Sequence, residues 1–323
     1  MARLSEFALI QQYFESITEQ RGDVGLGVGD DCALLQCPTD KMLAVSIDTL
    51  VENVHFFADV DPESLGHKSL AVNLSDLAAM GAEPAWFTLA LTLPQTDTDW
   101  LQSFSKGLGQ LARKHRISLV GGDTTRGPLS ITIQVHGFVE KTTTMRRDGA
   151  KPGDLIFVTG TLGDAGACLA IKQNNVLPTV LSEHDMVFLQ QRLERPVPRI
   201  AASQVIKSYA SSAIDISDGL VADLSHIIDK SHCGAELDVD KLPLSPALAK
   251  LDLAEARRLA LYAGDDYELC FTVPADNVDA LMALCPEQCT CIGRIIEGNE
   301  ISLMDNGHNV TLTGKGYEHF TND

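Results

Sequence analysis

The chain of 323 residues carries 44 acidic and 25 basic side chains, which gives a formal net charge of −19 at pH 7. This charge disfavours unassisted binding of nucleic acid, because the phosphates would be repelled. A hydrophobic content of 45% excludes a disordered chain, and the length predicts about two domains. The sequence has no apolar run long enough to span a bilayer. Its N-terminal segment lacks the layout of a signal peptide, so we expect a cytoplasmic protein.

The first half of the chain alternates between predicted helices and strands. In chain order these are a helix over 1–17, a helix over 64–80, a strand over 85–93, a helix over 97–115, and strands over 117–120 and 129–139. In the last of these segments Leu129, Ile131, Ile133 and Val135 alternate with polar residues, and a period of two predicts a strand with one buried face.

The polar segment 140–154 is predicted to connect two domains, because it contains glycine and proline and precedes the strand LIFVTG. Beyond it we predict a strand and a helix over 154–172 and strands near 268–273 and 289–296. Long helices between strands indicate an α/β fold with mixed (α+β) sheets rather than an all-parallel doubly wound sheet. The predicted domains are residues 1–140 and 141–323.

Carboxylates recur at the ends of apolar runs, next to glycine, serine or asparagine. They are Asp30 and Asp31, Asp48, Asp76, Asp123, Asp215 and Asp218, and Asp265 and Asp266. Half-buried carboxylates are unfavourable unless they are paired or bind a metal, and few basic residues lie near these clusters. Oxygen ligands of this kind suit Mg²⁺. Each cluster also has a structural interpretation, such as a turn at Asp30 or Asp31, or a helix cap at Ser217 or Asp218.

Other features of the sequence leave their interpretation open. The glycine-rich turn GTLGDAG precedes a predicted helix and suits either a phosphate or a plain turn. Arg126, Arg146 and Arg147 lie next to turns and could neutralise a nucleotide phosphate or be surface charges. Cys285, Cys289 and Cys291 lie close together, but no CxxC pair supports zinc, and we expect no disulfide. The sequence contains neither a GxSxG nor an HExxH motif, so it shows no nucleophile signature.

Ten segments carry a resemblance to a known family. They are GLGVGDDCALL, SIDTLVENVHF, KSLAVNLSDLAAMGAEP, LVGGDTTRGPLSIT, HGFV, GAKPGDLIFVTGTLGDA, RPVPR, AIDISDGLVADLSHI, GDDYELCFTV and KGYEHF. In this order they resemble the thiamine-monophosphate kinases, within the superfamily of aminoimidazole ribonucleotide synthetase. The resemblance extends from about residue 25 to residue 320.

The resemblance implies a two-domain fold. Its N-terminal half binds metal and ATP and forms a β-barrel across a homodimer, and its C-terminal α/β half closes the cleft. It implies ATP as co-substrate and several Mg²⁺ ions. The implied metal positions are Asp30, Asp31, Ser46, the Ile47 carbonyl, Asp48, Asp76, Asp123, Asp215 and Asp218. The implied catalytic residues among them are Asp48, Asp76, Asp123 and Asp218.

The resemblance also implies positions for the two substrates. Gly122, Asp123, Arg147 and Ser217 would contact ATP. His55, Asp265 or Asp266, and Tyr317 would line the thiamine phosphate; the family often has tryptophan where Tyr317 stands.

The implied chemistry agrees with the residues. A phosphate monoester acceptor is already largely dianionic at pH 7 and needs no general base. Alternatives within the superfamily are the purine-pathway cyclase, selenophosphate synthetase and the hydrogenase-maturation relative. Outside catalysis, an acidic regulator that binds divalent cations or nucleotides is the alternative.

Overall fold

The computed structural model describes residues 6–19, 21–174, 178–285 and 289–317. The chain divides into two compact units. The first comprises residues 1–77 and 82–142, and the second comprises residues 78–81 and 143–323. The passage from one unit to the other at residues 142 and 143 lies within the polar segment 140–154.

The first unit contains short N-terminal elements, two long helices and a sheet. Its elements are α1 (Glu6–Tyr13), β1 (Val24–Leu26), β2 (Leu34–Leu35), β3 (Lys41–Val51), α2 (Pro62–Ala79), β4 (Glu83–Leu93), α3 (Thr98–Lys114), β5 (Ser118–Arg126) and β6 (Ser130–Glu140). The predicted helix over 1–17 is shorter in the structure, and residues 1–5 lie outside the described part of the chain.

The sheet of the first unit has the strand order β3-β6-β4-β5. Strands β3 and β4 pair with β6 in antiparallel fashion, whereas β4 and β5 are parallel. In β6, Ile131, Ile133 and Val135 are each at most 1% exposed, and the polar residues between them are half-buried. The predicted one-sided burial of this strand is therefore confirmed.

The second unit is a larger α/β assembly. Its elements are β7 (Leu155–Thr159), α4 (Asp164–Asn174), α5 (Glu183–Glu194), α6 (Ile200–Ile206), β8 (Ser212–Asp215), α7 (Leu220–Ser231), β9 (Gly234–Asp238), α8 (Leu253–Tyr262), β10 (Leu269–Val273), α9 (Val278–Leu284), β11 (Cys289–Ile296), β12 (Ile301–Asp305) and β13 (His308–Val310).

The sheet of the second unit runs β13-β12-β9-β11-β7-β10-β8. The pairs within it are antiparallel except for the parallel pair of β12 and β9. Both large sheets thus contain parallel and antiparallel pairs, which confirms the predicted mixed α/β class. Helix α7 buries Leu224, Ile227 and Ile228 in the same core cluster as Ile156 and Ile214.

Two smaller features bear on the predictions from sequence. Among the described residues, no helix is long and apolar enough to cross a bilayer. The Cys285 and Cys289 thiols lie side by side, but their Cα atoms are 7.1 Å apart, which is beyond the separation that a disulfide normally spans, so the structure does not overturn the expectation of no disulfide. Cys291 is a free thiol, half-buried in β11.

Candidate active site

A carboxylate pair lies where β3 of the first unit meets α2. Because side chains alternate along a strand, Ser46 and Asp48 share one face of β3, and both are half-buried. Asp76, near the end of α2, accepts a hydrogen bond of 2.5 Å from the Ser46 hydroxyl. Burial and, secondly, the neighbouring Asp76 carboxylate raise the pKa of Asp48 to about 7. Two close carboxylates that resist ionisation together suit a shared cation.

Ile47 lies between the two polar residues of β3. Its side chain points to the opposite face of the strand and is 58% exposed. Strand β3 therefore presents candidate oxygen ligands for a metal on one face and apolar side chains on the other.

The GDD turn and the GGDTT strand of the first unit line one cavity of about 410 Å³. Asp30, Asp31, Gly122 and Asp123 contribute polar groups to it, and its apolar lining includes Phe14. A Cβ at position 122 would overlap the Leu89 carbonyl, so only glycine fits there. Two segments that are distant in sequence, with the predicted metal positions Asp30, Asp31 and Asp123 and the predicted ATP position Gly122, thus share a cavity. The predicted metal positions Ser46, Asp48 and Asp76 do not line it.

His55 lies just after the end of β3. Its Nδ1 accepts a hydrogen bond of 3.0 Å from the Val51 amide. This bond fixes the orientation of the ring, which is half-buried. The contact is compatible both with a structural histidine and with one that presents Nε2 to a ligand.

In the second unit, the turn after β8 carries three of the predicted residues. Asp215 ends the strand and is 6% exposed, and Ser217 and Asp218 follow in the turn before α7. Neither Ser217 nor Asp218 caps α7, because the N-cap residue is Gly219 and no side chain forms a capping hydrogen bond there. Instead the Asp223 carboxylate accepts hydrogen bonds from the amides of residues 217–219. The proposed helix-cap role of Ser217 or Asp218 is therefore wrong.

The GDDYEL segment distinguishes its two aspartates. Asp266 is 1% exposed and accepts a hydrogen bond of 2.8 Å from the Gly163 amide, so it points into the unit. Asp265 is half-buried and accepts a hydrogen bond of 2.9 Å from the Tyr267 hydroxyl. Asp265 and Tyr267 both have positive φ, at 68° and 51°. Of the two candidates for the thiamine phosphate, Asp265 is thus the more accessible, whereas Asp266 is buried.

The GDDYEL segment is anchored by a buried cluster of charged side chains. Glu268 is fully buried and forms ion pairs with Arg192, at 2.9 Å, and Arg199. The Thr159 hydroxyl donates to the same carboxylate at 2.6 Å. Sequence reasoning missed this cluster. The motif RPVPR contains Arg199, but its partners lie far away in sequence.

The C-terminal segment reaches the same turn. The Tyr317 amide donates a hydrogen bond of 3.1 Å to the Asp218 carbonyl, and the Asp265 amide donates one of 2.9 Å to the Ser217 carbonyl. The Tyr317 side chain is 50% exposed. Within the second unit, the backbones of predicted metal, ATP and thiamine residues are therefore in direct contact.

Two further candidates from the sequence have different outcomes. Arg147 is exposed, and its carbonyl accepts a hydrogen bond from Ser231, whereas Arg146 is paired with Asp148. At the GTLGDAG turn, the Gly163 amide is taken by Asp266, and the buried Asp164 begins α4. Two carboxylates at this helix start disfavour an anion, so the geometry favours the plain turn over a phosphate site.

The candidate carboxylates suit Mg²⁺, which binds partly through water and substrate, better than a metal that is bound by protein side chains alone. Among the described residues, no group of three His, Cys, Asp or Glu side chains is arranged to hold a metal ion by itself. Magnesium typically takes one or two carboxylates and completes its octahedron with water and substrate phosphates. The Asp48–Asp76 pair and the Asp30, Asp31 and Asp123 carboxylates match that pattern.

Comparison with known proteins gives consistent matches over the whole chain. Residues 29–139 and 151–306 match the N-terminal and C-terminal domains of AIR synthase related protein. Over 322 residues, 98% of either chain, the sequence is 51% identical to the thiamine-monophosphate kinase of Salmonella typhimurium. The crystal structure of thiamine-monophosphate kinase from Stenotrophomonas maltophilia is 46% identical, with a TM-score of 0.87 over 95% of this chain and 98% of that one. The structure of AaThiL complexed with AMPPCP and TMP is 33% identical, with a TM-score of 0.75 over 88% of this chain and 89% of that one.

Proposed function

The chain belongs to the AIR synthase related family and to the thiamine-monophosphate kinases within it, and from this membership we propose that it phosphorylates thiamine monophosphate with ATP. The product is thiamine diphosphate. One observation carries the proposal: a relative of this activity matches 98% of the chain at 51% identity. The requirement for ATP favours the cytoplasm as the compartment.

We propose that Mg²⁺ is bound at Asp30, Asp31, Ser46, the Ile47 carbonyl, Asp48, Asp76, Asp123, Asp215 and Asp218. The charge balance supports more than one ion, because ATP near −4 and the acceptor near −2 meet several carboxylates. One contact between unit charges at about 4 Å amounts to roughly 4 kcal/mol at an effective dielectric of 20. When bound, the ions neutralise the phosphates. The carboxylates of the chain would hold the ions, and we propose Asp48, Asp76, Asp123 and Asp218 as the catalytic residues among them.

We propose that Gly122, Asp123, Arg147 and Ser217 bind ATP. The cavity of about 410 Å³ in the first unit supports the first two, since both line it. The Arg147 side chain is exposed, which leaves its guanidinium available to a phosphate.

For the acceptor we propose His55, Asp265 and Tyr317. The orientation of the His55 ring through Nδ1 supports its role, and the Tyr267 hydroxyl orients the Asp265 carboxylate. The exposed Tyr317 ring offers a face to the thiamine rings. Because the acceptor oxygen is already ionised, none of these residues has to remove a proton.

We propose a homodimer in which strand β3 closes the barrel. This strand is an edge of its sheet among the described residues, and Leu43, Val45 and Ile47 on it are 42%, 51% and 58% exposed. An exposed apolar edge strand is the surface that proteins normally cover.

The test is conversion of ATP to ADP, measured with and without thiamine monophosphate and over a Mg²⁺ titration, with thiamine diphosphate identified as the product. We expect ADP formation to need both the acceptor and Mg²⁺ in excess of ATP. Binding of ATP without turnover that depends on thiamine monophosphate would instead favour the alternative function, a regulator that binds nucleotides. Full activity on MgATP with no free metal would contradict the role of more than one ion.

A further inference from the structure

The Asp223 carboxylate organises the turn that carries Ser217 and Asp218. Its Oδ2 accepts three hydrogen bonds from consecutive backbone amides, those of Ser217 and Asp218 at 3.0 Å and that of Gly219 at 3.1 Å. The side chain is 3% exposed. One fixed carboxylate oxygen thus determines the path of three successive peptide groups.

The same turn is held from its carbonyl side by other segments. The Ser217 carbonyl accepts from the Asp265 amide, and the Asp218 carbonyl accepts from the Tyr317 amide. Gly219 has a φ of 117°, a conformation that favours glycine. Asp223 is the side chain that binds the amides of the turn, and it lies on the first turn of α7.

A role restricted to starting the helix would not need a buried carboxylate. A serine or threonine at the N-cap satisfies such amides without burying a charge. Here the carboxylate comes from inside the helix and reaches back beyond its start to the residues that follow β8. The amides that it binds belong to residues with proposed metal and ATP roles.

We propose that Asp223 is a positioning residue, whose carboxylate holds the 217–219 turn so that Ser217 and Asp218 are presented to nucleotide and metal. This inference rests on the proposed function. It adds a residue that acts through others and does not itself touch a substrate.

The test compares Asp223→Asn and Asp223→Ala with Asp185→Asn as the matched control. Asparagine retains one oxygen acceptor but replaces the other by an NH₂ donor, whereas alanine removes the acceptor altogether. Asp185 is also a buried carboxylate of the second unit; it caps α5 and pairs with Lys250. Asp185→Asn therefore reports a general loss of stability.

Three quantities are measured for each variant: amide hydrogen exchange of the 217–219 peptide, the Mg²⁺ concentration for half-maximal activity, and the KM values of both substrates. We expect faster exchange in this peptide in both Asp223 variants. We also expect a rise in the Mg²⁺ requirement and in the KM of ATP of about threefold for Asp223→Asn and about tenfold or more for Asp223→Ala. The KM of thiamine monophosphate should change less, and Asp185→Asn should leave the Mg²⁺ requirement unchanged.

An unaltered Mg²⁺ requirement and an unaltered KM of ATP in Asp223→Asn would overturn the inference, and this variant decides the matter if Asp223→Ala does not fold. Equal changes in Asp185→Asn would overturn it as well, because they would reflect stability alone. Should the wild-type chain lack kinase activity, the proposed function fails separately. Hydrogen exchange and calorimetric binding of MgATP then test Asp223 without turnover.

Discussion

At the scale of single residues, the pKa of Asp48 shows how burial and a neighbouring charge act on a carboxylate. Burial raises its pKa to about 7, and the neighbouring Asp76 carboxylate adds to the effect. A carboxylate in this position destabilises the metal-free protein when it ionises and is stabilised when a cation arrives. The same arrangement explains why polar residues occur on one face of a strand whose other face is apolar.

We predict that Asp48→Asn, Asp76→Asn and Asp218→Asn each lower kcat by roughly 10²–10³, the loss typical for removal of a charge stabiliser of the transition state. Folding should survive, because asparagine relieves the repulsion between neighbouring carboxylates. Steady-state kinetics and circular dichroism measure the two effects. Asp40→Asn, at an exposed position before β3, is the control. Near wild-type turnover in the three variants, or their unfolding, would make these residues structural.

His115 predicts a pH dependence of stability that is independent of the active site. Burial, with smaller contributions from Lys114 and His67, lowers the pKa of His115 to about 4 from its ordinary value of 6.5. Below pH 6.5 the unfolded chain binds a proton that the folded chain resists. The free energy of unfolding should therefore decrease as the pH falls from 6.5 towards 4.

Urea unfolding at several pH values between 7.5 and 5 measures this effect. His115→Gln should lose less stability over the window than the wild type, whereas His308→Gln, at an exposed position, should behave like the wild type. Parallel pH profiles for the wild type and His115→Gln would show that His115 is not responsible.

At the scale of elements, the sequence predicted α2, β4, α3 and β6 of the first unit because their apolar periodicity is local, but it made no prediction for β3 or for several elements of the second unit, such as α5, α8 and β9. Strand β5 was predicted only over 117–120, since Gly121 and Gly122 indicated a turn. In the structure its pairing with β4 continues as far as Arg126. Asp223 was unrecognised for a related reason. Within LVADLSHII it has the spacing of a surface residue, and its burial depends on the turn before the helix.

The C-terminal segment is held by contacts that only glycine permits. A Cβ at Gly316 would lie 2.6 Å from the Ala222 Cβ, and one at Gly314 would overlap the Tyr262 ring. The Tyr262 hydroxyl also donates a hydrogen bond of 2.6 Å to the Leu312 carbonyl. This packing places Tyr317 beside the turn of Asp218.

We predict that Gly316→Ala and Gly314→Ala displace this segment and raise the KM of thiamine monophosphate by roughly tenfold, because the acceptor residue Tyr317 moves with it. The KM of ATP should change less. Gly22→Ala is the control, since a Cβ there meets no atom within 4 Å. Equal KM values for thiamine monophosphate in the Gly314→Ala and Gly316→Ala variants and in the wild type would show that Tyr317 does not contribute to substrate binding.

At the scale of the whole molecule, strand β3 carries both candidate metal ligands and the surface proposed for the homodimer. The strand that carries Ser46 and Asp48 on one face is 51% exposed at Val45 on the other. If the apolar face is covered by a second copy, the metal-binding face is supported by the interface. Neither the edge position of β3 nor this exposure could be read from the sequence, because both depend on strand order.

We predict that Val45→Glu converts a dimer to a monomer, because it places charges in an apolar contact. Light scattering after size-exclusion chromatography measures the mass, and circular dichroism checks the fold. Val187→Glu, at a position of α5 that is 55% exposed, should leave the mass unchanged. A dimer that persists in Val45→Glu would place the interface elsewhere.

The charge of the whole complex decides how the phosphoryl group is transferred. A chain of net charge −19 brings together two phosphate substrates, and its candidate carboxylates are proposed to hold metal. Carboxylates engaged in this way are poor nucleophiles, and the ionised acceptor gains nothing from a covalent intermediate. We therefore predict direct in-line transfer from ATP to thiamine monophosphate.

Two measurements test direct transfer: exchange of labelled ADP into ATP without acceptor, and the stereochemistry at a chiral γ-phosphorus. Direct transfer requires no exchange and inversion of configuration. Retention together with metal-dependent exchange would instead indicate an aspartyl-phosphate, with Asp123 or Asp218 as the residue to examine first.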